Sequence, residues 1–261
     1  MSGMIEQAAE AVLVGGRLPD MLRPRSLPEA YGIQYAVSRE LGPVGGWRIC
    51  RAEPGARLAA APVPIAMFQP EPALLAPSGG GKLCVRPALA LELGRSLPEY
   101  DAPFSESEVA EAIGNTRPAV LVLDSSGNED QHDDPLAAIA EFCGRATVIY
   151  GRAAVAGLPQ ARTLTLSITN MGAACVFGGR RTDTETRSIA IGDLVGPLQW
   201  LANFGTGFSG GLMVTQGGLM VRQMVLMPLR TEAIPIAPGA SVEIGFGDLG
   251  KVTLRVRKAK P

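Results

Sequence analysis

The chain reads as an α+β protein, with a helical N-terminal part packed on a mostly antiparallel, β-rich body. Three observations predict this. Apolar residues recur at helical spacing before residue 45, and short alternating segments with turn residues between them dominate after residue 147. Between these lie two apolar segments, Leu83 to Pro98 and Pro118 to Ser125, that read as buried strands. Along the first, period-2 alternation sets Arg86, Ala88, Ala90 and Glu92 on one face.

Taken in order, Ile5 to Val14 carries a helical stripe that ends at Gly15-Gly16. Ser26-Leu27-Pro28-Glu29 is a capping box, and the helix behind it aligns Ile33, Val37 and Leu41 before Gly42-Pro43. Trp47 to Arg51 predicts a strand, and Pro54 to Pro64 a loop or short helix. Ser105 to Glu108 opens a short helix ending at Gly114-Asn115, and a strand follows over 118–124. Asp134-Pro135 is an N-cap with proline at N1, so a helix should run to about Phe142. Strands are predicted over 147–155, 162–168, 173–177, 224–228, 241–246 and 251–257, with a helix at 197–203. No repeat or linker divides the chain. It reads as one unit over 1–261, mostly helical over 1–62 and β-rich over 63–261.

Composition excludes several classes of function. Lys plus Arg (24) nearly balance Asp plus Glu (25), so no overall field favours nucleic acid or an anionic membrane. No apolar run reaches the roughly 18 residues of a membrane span, and the N-terminus has no basic leader pattern. Four scattered cysteines and one histidine supply no zinc motif, and they fit reduced, buried thiols of a cytoplasmic protein. Gly205 to Gly210 matches G-x-G-x-x-G but follows a helix. Gly207 to Gly211 matches G-x-S-x-G, yet the histidine precedes it. Ser78 to Lys82 lacks phosphate-loop spacing. All three are read as glycine-rich turns.

Four segments in register carry a family resemblance: Ser26-Leu27-Pro28-Glu29-Ala30-Tyr31-Gly32-Ile33-Gln34, Leu93-Gly94-Arg95-Ser96-Leu97-Pro98, Trp200-Leu201-Ala202-Asn203, and Pro238-Gly239 with Phe246-Gly247-Asp248-Leu249-Gly250. Together they resemble the 2-keto-4-pentenoate hydratase and 4-oxalocrotonate decarboxylase branch of the fumarylacetoacetate hydrolase superfamily. The resemblance implies a lyase acting on a small carboxylate or 2-oxo acid, and a homo-oligomer or a mixed oligomer with a paralogue. It also implies Mg or Mn held on three carboxylates, whose positions fall on Arg86, Ala88 and Leu121. The family's pocket lysine falls on Arg48, and an aspartate of its helix motif on Glu141.

Carboxylates supply most of a hard dication's affinity, so two apolar residues and a cation at the three positions predict no metal and no cofactor. Mg or Mn remains the alternative. Glu92 lies on the same strand face but about 13 Å beyond Ala88. A guanidinium grips a carboxylate bidentately, which makes Arg86 and Arg48 the expected anion site and Glu141 the expected proton carrier. Asp124, His132 and Met227 are the further candidates for substrate contact. Met227 belongs to a Met-rich stretch (Met220, Met224, Met227) that implies an adaptable apolar wall. Cys50 and Cys143 fall near the pocket and are read as packing residues. The alternatives are a non-catalytic anion-binding or structural relative, and an ordinary Mg- or Mn-dependent hydratase or decarboxylase.

Overall fold

The computed structural model describes residues 2–15, 17–51, 58–76, 83–98, 103–124, 134–170, 175–177, 180–182, 184–205 and 218–258. Two helices open the chain, α1 (Ser2–Gly15) and α2 (Leu27–Leu41). Ser26 caps α2 by accepting the Glu29 N–H at 3.4 Å. The Glu29 carboxylate reaches back one residue further than a capping box requires, to the Arg25 N–H at 2.7 Å.

Strands β1 (Val44–Arg51) and β2 (Leu58–Pro64) follow. The loop or short helix expected over 54–64 is therefore a strand from Leu58 onward. Its Ala and Pro content hides the pattern, but β2 lies at the edge of its sheet, where proline is tolerated. The boundary expected at residue 62 falls inside this strand, and the helical part ends at Leu41.

Next come β3 (Phe68–Pro70), β4 (Ala73–Leu75), β5 (Leu83–Leu93), α3 (Glu106–Ala112), β6 (Ile113–Asp124) and α4 (Pro135–Ala140). Both halves of the capping box form at α3: Ser105 accepts the Glu108 N–H, and the Glu108 carboxylate accepts the Ser105 N–H. At α4, Asp134 accepts from Leu136 and Ala137 N–H groups. Strands β7 (Ala146–Tyr150), β8 (Val155–Ala156), β9 (Thr163–Asn170), β10 (Cys175–Phe177), β11 (Arg180–Thr182) and β12 (Thr184–Ala190) lead to α5 (Val195–Gly205). The chain continues through β13 (Met224–Pro228), β14 (Ile234–Ile236), β15 (Ser241–Phe246) and β16 (Lys251–Val256).

Among the described residues these strands form a nine-stranded sheet with the main path β2-β1-β13-β5-β6-β7-β3, to which β14 and β8 add. A five-stranded sheet runs β12-β9-β15-β16-β4, and β10-β11 is a separate hairpin. Strand β5 sits near the middle of the large sheet and is buried on both sides. Its odd-numbered residues, Val85, Leu89, Leu91 and Leu93, pack with Leu166, Ile244, Phe246 and Leu254 of the smaller sheet. Its even-numbered Ala88 and Ala90 join a separate cluster with Ala119, Leu121, Val148 and Leu226.

That second cluster is enclosed because the large sheet curls. Phe68, on β3 at one end of the strand order, lies against Gly45 and Gly46 on β1 near the other end. A Cβ at Gly46 would overlap both the Met224 carbonyl and the Phe68 ring, so only glycine permits this closure. Helices α1, α2 and α4 cover the outer end through a third cluster that includes Val12, Ile33, Val37, Ile139 and Phe142. Among the described residues no helix is long and apolar enough to cross a membrane.

Candidate functional site

Side chains on paired residues of antiparallel strands share a face, so the register of β5 with its neighbours defines the concave surface. Arg86 pairs with Leu121, Ala88 with Ala119, Ala90 with Arg117 and Glu92 with Asn115. On the two sides of this strip, Val148 and Tyr150 pair with Leu121 and Ala119, while Met224 and Leu226 pair with Glu92 and Ala90. Arg86 is only 8% exposed, a guanidinium held beside an apolar strip.

Arg48 also lies on this face, but in a different employment. The register sets it level with Leu226 and so with Ala90, four residues along β5 from Arg86. It is 1% exposed, and its Nη2 donates to the carbonyls of Phe142 at 2.7 Å and Gly144 at 2.8 Å, and to that of Cys143. The last turn of a helix leaves carbonyls without intrahelical donors, and Arg48 satisfies those that follow α4. Arg48 is thus engaged by the turn after α4, four residues along the ribbon from Arg86.

Glu141 is similarly placed. Its Oε1 accepts the Leu18 N–H at 2.7 Å in a buried setting, which ties the α1–α2 connection to the end of α4. That bond gives the expected proton carrier a positioning task in the helical layer. Met227 requires a correction. It pairs with Leu89 and packs in the core between the two sheets, on the opposite side from Arg86. Met224 and Leu226 are the residues of β13 that face the concave surface, because strand parity moves the thioether by one position. Asp124 ends β6 in register with Leu83, and its side chain lies outside the described residues. His132 also lies outside them.

Two features went unread. Arg117 Nη2 and Nε approach Glu92 Oε2 at 2.7 and 2.8 Å, with the Asn115 amide at 3.4 Å and the Tyr150 ring centroid 5.9 Å from the guanidinium. Counting back from Leu121 in twos would have found Arg117. The second is a disulfide between Cys50 and Cys143, which corrects the expectation of reduced thiols. Its two ends are 93 residues apart in sequence, and the packing of α4 against α2 and β2 brings the turn after α4 to β1. Cys84 takes part in no disulfide.

A small cavity of about 30 Å³ opens beside Arg48, walled by Ala61, Val63, Met67, Phe142 and Ala146. Arg145 also borders it; its Nη2 donates to the Val12 carbonyl in the last turn of α1, and burial pulls its guanidinium below the usual value.

No family model and no curated protein matches the sequence. Solved structures do match the fold. 4-Oxalocrotonate decarboxylase from Pseudomonas putida G7, complexed with magnesium and adipate, superposes with a TM-score of 0.71 at 15% identity, covering 98% of this chain and 98% of that chain. The same enzyme complexed with calcium and acetate gives 0.70 at 15% identity, with the same 98% coverage of both chains. Fumarylpyruvate hydrolase from Pseudomonas aeruginosa, in complex with Mn2+ and pyruvate, gives 0.55 at 14% identity over 82% of this chain and 89% of that one.

These neighbours overturn the expectation of no cofactor: they hold calcium, magnesium or manganese, so a divalent metal is the cofactor to which they point. The side chains at the three positions that the sequence resemblance implies for the ligands do not fit that ion. Arg86, Ala88 and Leu121 offer no oxygen ligand, and among the described residues no group of three or more His, Cys, Asp or Glu could hold a metal. The metal's ligands are therefore not assigned to these three positions. Superposing end to end on these structures, the chain has the fold of the fumarylacetoacetate hydrolase superfamily.

Proposed function

We propose that the protein binds and processes a small carboxylate, and that Arg86 grips the acid. The observation that carries this reading is Arg86 itself, 8% exposed, on the face of β5 whose next positions form an apolar strip of alanine, valine and leucine. Such surroundings strengthen a bidentate pair with a carboxylate, because competing water is scarce. In a 2-oxo acid the same guanidinium would also stabilise negative charge developing on the adjacent oxygen, as a lyase of hydratase or decarboxylase type requires. The occupants of the neighbours, adipate, acetate and pyruvate, are all carboxylates, which supports the same substrate class.

A second reading, a non-catalytic carboxylate binder, is favoured by one feature. The immediate neighbours of Arg86 on the strip, Ala88 and Leu121, carry no group that moves a proton, and the titratable Tyr150, Arg117 and Glu92 lie further along it. Calorimetry with acetate, pyruvate and adipate, each with and without Mg or Mn, tests the shared premise. Arg86→Met should weaken binding about 30-fold, the loss of one charge-assisted pair. No binding by the wild type, or equal binding by the variant, would remove Arg86 from the site. Turnover of a 2-oxo acid by the wild type then separates enzyme from binder.

A further inference from the structure

We propose that the Cys50–Cys143 disulfide is a redox latch that sets where Arg48 points. The latch and the arginine share one strand and one turn. Cys50 lies two residues from Arg48 on β1, on the same face, while Cys143 lies in the turn whose carbonyls Arg48 binds. One of those carbonyls belongs to Cys143 itself. The turn has an unusual backbone: Phe142 and Cys143 take φ of 63° and 51°, and Gly144 takes 80°. Two successive non-glycine residues in the left-handed region persist only where surrounding structure imposes them. The disulfide and the Arg48 guanidinium restrain it from the strand side, beside the turn's own bonds from the Phe142, Cys143 and Gly144 N–H groups to the carbonyls of Ile139, Ala138 and Glu141.

The same turn walls the small cavity. Phe142 and Gly144 line it together with Arg48, on the side where Val63, Met67 and Ala146 connect it to the concave face. In the disulfide form the guanidinium is committed to three carbonyls. Reduction by a dithiol breaks the Sγ–Sγ bond and forms two thiols; the dithiol supplies two electrons and two protons and leaves as its cyclic disulfide. Phe142 and Cys143 then relax toward right-handed backbone, the carbonyl cluster disperses, and Arg48 turns into the cavity. Redox state thereby adds or withdraws a second cation at the carboxylate site. This last step rests on the function proposed above; the latch does not.

The experiment uses the full chain, oxidised and then treated with dithiothreitol. Differential alkylation with mass spectrometry should find Cys50 and Cys143 blocked before treatment and modified after it. Hydrogen exchange across 138–145 should rise about tenfold in the reduced form, with β5 and β6 unchanged. Pyruvate affinity should rise about fivefold on reduction, and Arg48→Met should abolish that rise. Cys50→Ser should reproduce the reduced form without reductant. Should that variant fail to fold, dithiothreitol-treated wild type carries the same comparison. Native thiols that alkylate freely, or unchanged exchange at 138–145 after complete reduction, would overturn the latch. Loosened exchange with no pyruvate bound in either form would leave the latch standing and remove the carboxylate reading.

Discussion

Tyr31 shows how one side chain records the docking of a helix. It is 5% exposed on α2 and accepts the Ala60 N–H at 3.3 Å, while its ring meets Phe204 at 5.7 Å between centroids. Burial pushes its hydroxyl up to about 12, against about 10 in an unfolded chain. Below pH 10 both states keep the proton and the contribution to stability is complete. As pH rises from 10 towards 12 only the unfolded chain ionises, so stability falls through that window. Between pH 9 and 11 the loss should be about 1.4 kcal/mol. Tyr31→Phe should abolish that slope in urea denaturation, and lower stability at pH 8 by about 1 kcal/mol through the lost hydrogen bond. An alkaline slope that survives in the variant would place its origin elsewhere.

At the scale of elements, the attachment of α2 rests on a polar bridge as well as an apolar face. Gln34 is 1% exposed, and its Nε2 donates to Ala60 on β2 at 3.1 Å and to Ile139 on α4 at 2.8 Å. One amide thus joins a helix, a strand and a second helix. Gln34→Met keeps the volume but strands both carbonyls, and should cost about 2 kcal/mol in chemical denaturation. A loss no larger than a surface change would mean that other donors reach those carbonyls. Which elements form was largely legible in the sequence: the apolar run at 224–228 and the alternation at 241–246 match β13 and β15 residue for residue. Strand β2 was not, because alanine and proline carry little periodic signal. Parity was not either. A five-residue apolar strand shows no polar side, so which of Met224 and Met227 faces the concave surface follows only from pairing with β5. Arg48 and Glu141 were singled out by the family resemblance alone, and the structure shows both buried. Their partners, three carbonyls and a backbone N–H, leave no mark in side-chain identity.

For the molecule as a whole, apolar burial divides into the sandwich between the two sheets, the lining of the curled sheet and the helical layer. Compared with the sandwich between the sheets, the helical layer is rich in alanine: Ala8, Ala9, Ala30, Ala59, Ala61 and Ala140. Its ties to the rest include Arg145 to Val12, Glu141 to Leu18, Gln34 to Ala60 and the disulfide. Less apolar area per residue means less free energy of docking, so α1 and α2 should open before the sheets. Native-state hydrogen exchange at low urea should find protection in α1 and α2 about 2 kcal/mol below that of β5 and β6. Equal protection across all four would make the layer part of one cooperative unit.

The two-sidedness of β5 has a consequence for how chemistry and architecture can part company. Odd-numbered positions clamp the sandwich together, whereas even-numbered positions look into the curl. Swapping an even-numbered acid for a base leaves every ladder hydrogen bond, and every sandwich contact of the odd-numbered positions, where it was. A donor set can accordingly be inverted in sign along one edge of a ribbon while the reverse edge never registers the change.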